Sequence, residues 1–187
     1  MTGNAYALAR PIDDEPGTTF NYSTAGTHLL ATLLARATGQ PLMDFAQQEL
    51  FQPTSIQISR WNTDPQGNYY GGGQMYLRPI DVAKFGVLLI DGGVYDGVQV
   101  VPESWVEEST KRLLSLPDGT GYGYLGWRGV AAGRDYYFAA GYGGQYIFVA
   151  PGVDVVVVVT SAIPNYNPHY YGAVEWFVAS RILAAAT

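Results

Sequence analysis

The sequence contains no cysteine, which excludes disulfide bridges and thiolate metal sites and leaves the redox compartment open. Histidine is nearly absent too. His28 and His169 stand far apart with no His-x-x-x-His pair, so no metal and no other cofactor is expected, and a lone imidazole reads as a surface or satisfied core group. Basic residues are scarce: two Lys and eight Arg against sixteen acidic residues give a net charge of -6. That leaves no cationic stripe to neutralise phosphates, so neither nucleic acid nor an acidic membrane is an expected partner. Long apolar runs are missing; the longest centres on Val155 to Val159 and is too short to span a bilayer. Met1 to Arg10 lacks a basic-then-apolar leader pattern, so the chain as written is expected to stay in the cytoplasm.

What is present suits a folded globule. Hydrophobic residues make up 48% and charged residues 14% of the chain. Its 187 residues suffice for one core, which predicts a single domain over 1–187, with a mostly helical and loop part over 1–117 and a sheet part over 118–187. The first nineteen residues read as a loop. Leu29, Leu30, Leu33, Leu34 and Ala37 recur at helical spacing and predict a helix over 25–38 with Gly39 as its left-handed cap. Pro41 opens a second helix over 42–51, stopped by Pro53. Residues 59–73 lack periodicity and read as an irregular loop ending in three glycines.

Pro79 starts a helix with Asp81 in its first turn and Val82, Phe85, Leu88 and Leu89 on its apolar face. Gly92-Gly93 ends it, Tyr95-Asp96-Gly97 turns, and Pro102 starts a short helix. Beyond Pro117 the texture becomes β: 122–128, 136–140, 146–150 and 153–160 predict an antiparallel meander. Five consecutive valines suggest a strand covered on both faces. Val174, Phe177, Val178 and Leu183 predict a last helix packed on the sheet. The fold class is therefore α+β, a helical segment followed by an antiparallel sheet with a C-terminal helix.

Four segments carry a resemblance: Pro16 to Ser23, Gly71 to Phe85 with Arg78 and Asp81, Gly92 through Trp105, and Gly141 to Gln145 with the strands after it. In this order they resemble the β-lactamase-related serine hydrolases, which include class C β-lactamases, penicillin-binding carboxypeptidases, family VIII esterases and 6-aminohexanoate-dimer hydrolases. The resemblance implies a partial β-lactamase/transpeptidase-like fold, the C-terminal portion only. The family's nucleophile is the Ser of a Ser-x-x-Lys motif upstream of these segments. Neither lysine qualifies: Asp81 stands three residues before Lys84 and Glu108 three before Lys111. Ser109-x-x-Arg112 fails as a substitute because a guanidinium does not deprotonate.

The family's Tyr-x-Asn resembles Tyr22-Ser23-Thr24, which implies proton transfer by Tyr22 and substrate contact by Thr24. Thr24 lacks the amide that an Asn would offer. The same residues also suit a helix entrance capped by Ser23 or Thr24. The Lys-Thr-Gly or His-x-Gly motif resembles Tyr142-Gly143-Gly144, with the N–H of Gln145 where the family places an oxyanion donor. Tyr142 supplies no positive charge, which leans toward a small neutral ester or amide ligand. A Gly-rich hairpin turn explains the same residues without chemistry.

Tyr69, Tyr70, Tyr122, Tyr124 and Trp127 either line a cleft or pack strands. Arg78 and Asp81 read as a solvated surface pair, and Glu103, Glu107 and Glu108 as a solvated helix face. Three functional expectations follow: a truncated hydrolase inactive alone, a binding or scaffold protein whose exposed apolar surface is covered by homo-oligomerisation, or one half of a two-chain enzyme. Full-length relatives of this kind are often exported, so the parent's compartment stays open.

Overall fold

The computed structural model describes residues 3–162 and 167–186. They fall into two compact units, Met1–Arg78 and Pro79–Thr187.

The first unit begins with a short helix, α1 (Gly3–Leu8), where a loop was expected. The Asn4 amide donates to Thr32 Oγ1 at 2.9 Å, tying it to α2 (Thr24–Thr38). Ser23 caps α2 by accepting from the Gly26 N–H at 3.0 Å, and Gly39 ends it in the left-handed conformation. The buried face of α2 differs from the expected one. His28 and Thr32 are buried, while Leu30, Leu33 and Leu34 are 53%, 50% and 40% exposed. One stripe of the helix is polar and finds partners across the unit; the leucine stripe beside it faces outward. Helix α3 (Leu42–Ala46) continues through a wider π-type turn to Phe51. Residues 59–73 are more regular than expected, because β1 (Ile58–Trp61) pairs antiparallel with β2 (Met75–Leu77) and Thr63 bridges Tyr69.

The second unit opens with α4 (Pro79–Ile90). Asp81 is fully buried there, and Lys84 lies 3.2 Å from its carboxylate. This corrects the solvated-pair reading of Asp81: the buried first turn of α4 holds the carboxylate against a lysine one turn later. A tight hairpin of β3 (Val94–Tyr95) and β4 (Val98–Gln99) follows, then α5 (Glu103–Ser109), on which Glu103 and Glu107 are exposed as expected.

Six strands form one antiparallel meander: β5 (Leu114–Ser115), β6 (Gly121–Tyr122), β7 (Trp127–Ala131), β8 (Arg134–Gly141), β9 (Gln145–Ala150) and β10 (Val155–Val159). The expected strand 122–128 is broken between Tyr122 and Trp127, where Leu125 takes a positive φ of 62°. One face stacks Trp127, Phe138, Phe148 and Tyr146, with successive ring centroids 6.2, 5.4 and 5.3 Å apart. Helix α6 (Pro168–Phe177), prolonged to Leu183, buries Val178 and Leu183 against these rings. Phe177, expected on that face, is 53% exposed. The other face packs Tyr137, Ile147 and Val149 against α4 through Val82, Leu89 and Ile90.

Strand β10 carries the five valines along the sheet edge. Alternate valines join the two opposite clusters, so both faces are covered, yet each residue stays half-buried because the edge is open.

Candidate functional site

The residues singled out in the sequence fall in both units, and each place is built by its own local chemistry. In the first unit, Tyr22 precedes the cap Ser23 and is 56% exposed, while Thr24 is the first residue of α2. The Gly71-Gly72 backbone crosses directly over this first turn. A Cβ on Gly71 would overlap the Thr27 carbonyl oxygen and sit 2.6 Å from Ala31 Cβ; one on Gly72 would sit 2.6 Å from Thr24 Cγ2. Only glycine permits that approach, which is why the run lies there.

Below this crossing sits a buried polar group that sequence reasoning missed. His28 Nε2 is 3.1 Å from Asp64 Oδ2, and the Gly71 N–H points at Nδ1 from 3.5 Å. That geometry places the imidazole proton on Nε2, for donation to the carboxylate. Asp64 Oδ1 also accepts from the Gln66 and Asn68 N–H groups, each at 2.9 Å. Burial alone would raise the Asp64 pKa; donors from Asn68, His28 and Gln66 overcome it and hold the group at about 2. The lone imidazole of α2 is therefore a satisfied core residue. Asp64-Pro65-Gln66-Gly67 carried a legible turn signal, but nothing local marked its carboxylate as the partner of His28.

In the second unit, Tyr142, Gly143 and Gly144 form the three-residue connection between β8 and β9, with Gly141 opposite Gln145. Gly143 and Gly144 have φ of 80° and 83°, a region that side-chain-bearing residues rarely adopt. Tyr142 is 71% exposed. The turn is fixed from behind by two residues that the sequence did not reveal. Ser161 Oγ donates to the Gly143 and Gly144 carbonyls at 2.7 and 3.0 Å, and the Gly143 N–H donates to Tyr171 Oη at 2.8 Å. The Gln145 side-chain amide donates to the Gly143 carbonyl at 3.3 Å and to the Ser161 carbonyl. Both amide protons are therefore spent on bracing the turn.

The aromatic residues each have a ring partner within their own unit. Tyr69 meets Trp61 at 5.2 Å and Tyr70 meets His28 at 5.1 Å. Tyr122 meets Trp127 at 5.0 Å and Tyr124 meets Trp105 at 5.3 Å. Tyr124 and Trp105 form their pair at the surface, each 49% exposed.

Both lysines lie against carboxylates. Lys84 faces Asp81, and Lys111 Nζ lies 2.6 Å from Glu108 Oε2. The hydrogen bond and charge of Glu108 raise the Lys111 pKa, moving it further from a neutral base. Among the described residues, no helix is long and apolar enough to cross a membrane.

The sequence model of the Beta-lactamase family matches residues 4–173. The 6-aminohexanoate-dimer hydrolase of Paenarthrobacter ureafaciens is 25% identical over 185 residues, covering 90% of this chain and 46% of that protein. Among solved structures, the octameric penicillin-binding protein homologue of Pyrococcus abyssi superposes with a TM-score of 0.74 at 20% identity, over 95% of this chain and 47% of that one. A penicillin-binding protein of Bacillus halodurans gives a TM-score of 0.70 at 20% identity, over 88% and 58% of the two chains. These likenesses establish the fold. The chain spans about half the length of the curated relative it matches.

Proposed function

The chain belongs to the Beta-lactamase family, and from that premise we propose that these 187 residues carry the accessory part of a serine-hydrolase site and do not form an acyl-enzyme by themselves. One observation carries the reading. Covalent acyl transfer needs a hydroxyl beside a group able to take its proton, and neither lysine follows a serine by three residues. Each lysine is instead ion-paired with the carboxylate that stands in the serine's place.

Tyr22 is assigned to proton transfer, and Thr24 with the main chain of Tyr142 to Gln145 to substrate contact. The neutral phenol of Tyr142 favours an ester or amide without a carboxylate at that position. The purified chain is expected to turn over neither p-nitrophenyl esters nor a chromogenic β-lactam. Mass spectrometry after fluorophosphonate treatment should find no adduct. A serine of this chain carrying the label would overturn the reading.

A second reading is favoured by the outward leucines of α2: a non-catalytic, self-associating scaffold. Leu30, Leu33 and Leu34 offer an apolar stripe of the kind that self-association buries. Sedimentation should then show a defined oligomer that Leu33→Glu disperses. A monomer at high concentration would sink it.

A further inference from the structure

The sheet of the second unit ends in two edges of different character. Strand β5, at one end, is two residues long, and Lys111 and Arg112 lie just ahead of it. Short strands and charged residues are devices that keep an edge from pairing with another chain. Strand β10, at the other end, has neither. Val155 to Val159 include no charge and no proline, and they pair with β9 at five consecutive positions without a bulge. Among the described residues, no strand pairs with the outer side of β10.

An edge strand presents a row of main-chain N–H and C=O groups directed away from its sheet, which is a template for one more strand. The side chains of β10 ask for the same thing. Val155, Val157 and Val159 pack on the aromatic cluster beneath α6, and Val156 and Val158 on the cluster beneath α4. All five are only half-buried, so both apolar layers of the unit run out to this edge and stop partly uncovered. A strand laid alongside extends both layers at once, because its own side chains alternate between the two faces.

We propose that this strand is β10 of a second copy of the chain, paired antiparallel about a two-fold axis at Val157. Residues directly opposite each other in an antiparallel pair point to the same face. An axis at Val157 sets Val155 against Val159 and Val156 against Val158, so each cluster meets its own kind across the axis. The same register sets Asp154 against Thr160, which keeps like charges from standing opposite each other. Moving the axis to Val156 or Val158 keeps the faces matched but sets a valine against Asp154 or Ser161 instead. The pairing is isologous and closes on itself. The edges then left at either end of the joined sheet are the short β5 strands, so assembly stops at two copies. The contact uses neither Tyr22 nor the leucine stripe of α2, and it stands apart from both readings above.

Because the chain has no cysteine, a single introduced thiol reports the axis directly. Opposite Cα atoms in an antiparallel pair are about 4.5–5.5 Å apart, within the span of a disulfide. Val157→Cys should therefore give a disulfide-linked dimer under mild oxidation. It should form at least about tenfold faster than with Val130→Cys, at an exposed position on β7, because the two thiols are held together and need not meet by diffusion. Val155→Cys alone should link slowly, and its mixture with Val159→Cys should give the mixed dimer. Sedimentation of the unsubstituted chain should show a dimer that Val157→Lys disperses with unchanged far-UV circular dichroism and that Leu33→Glu leaves intact. The cysteine variants decide the matter if Val157→Lys does not fold. A monomer, growth beyond two copies, or Val157→Cys linking no faster than Val130→Cys overturns the proposal. A dimer dispersed by Leu33→Glu and not by Val157→Lys also overturns it and assigns the contact to α2.

Discussion

Around α2 in Met1–Arg78 the side chains sealed from solvent include His28, Thr32, Thr54 and Asp64, with Leu42, Phe51 and Ile56 as the buried apolar residues. In Pro79–Thr187 the sealed side chains are chiefly rings and branched aliphatics, led by Phe148, Leu88, Val149 and Val178. The two units thus meet the cost of ordering a chain by different means. A polar interior depends on each donor meeting its acceptor, so it is directional and sensitive to protonation. A ring-packed interior depends on volume, so it is sensitive to cavities and indifferent to moderate pH. Asp81 is the exception that fits the rule: a carboxylate buried in the second unit has a lysine within 3.2 Å.

The largest effect that tests this contrast is Phe148→Ala. Phe148 is fully buried and stacked on both Phe138 and Tyr146. Truncation should cost about 3–5 kcal/mol, read from urea denaturation followed by tryptophan fluorescence. A cost below about 1 kcal/mol would mean that ring volume is not what holds this sheet.

The next effect belongs to the polar interior. Asp64 has a folded pKa of about 2, below its ordinary value of 3.8. Its contribution is therefore complete above the unfolded value and is lost as pH falls through about 2. The size is about 1–2 kcal/mol, allowing for partial screening. Thermal melts should show wild type losing more stability than Asp64→Asn between pH 6 and pH 2.5, pH values that bracket about 4, where an ordinary carboxyl titrates. Parallel losses in the two proteins would remove Asp64 from the account.

Legibility in the sequence divides along the same line. The ends of α2 were readable because Ser23 and Gly39 act on their own neighbours, and the last strands were readable because aromatic and β-branched runs between Gly-bearing turns are local signals. Which face of α2 is buried was not readable. It is set by Asp64, 36 residues away, which makes His28 a better core residue than Leu33. Asp81 misled for a similar reason, since a carboxylate in a first helical turn looks solvated until its burial is known. The break after Tyr122 depends on Leu125 adopting a positive φ, which no propensity predicts. At the Tyr142–Gln145 turn the glycines announced a tight connection. Ser161 and Tyr171, which brace it, lie 16 or more residues beyond Gln145 and carry no motif of their own.

The smallest effect, at Gly172, is read against a second glycine, Gly71, that looks alike in sequence. Gly71 is pressed against α2, so a methyl there must displace backbone and should destabilise by about 1–3 kcal/mol. Gly172 lies inside α6, exposed, with nothing within 4 Å of an added Cβ and no left-handed φ. There the glycine only costs helix propensity, and Gly172→Ala should stabilise by about 0.5–1 kcal/mol. Helix α6 reaches the aromatic face through Val178 and Leu183, which this change leaves alone. A gain in melting temperature would therefore report helix order and not new packing. A loss would mean that the surface around Gly172 is occupied in solution.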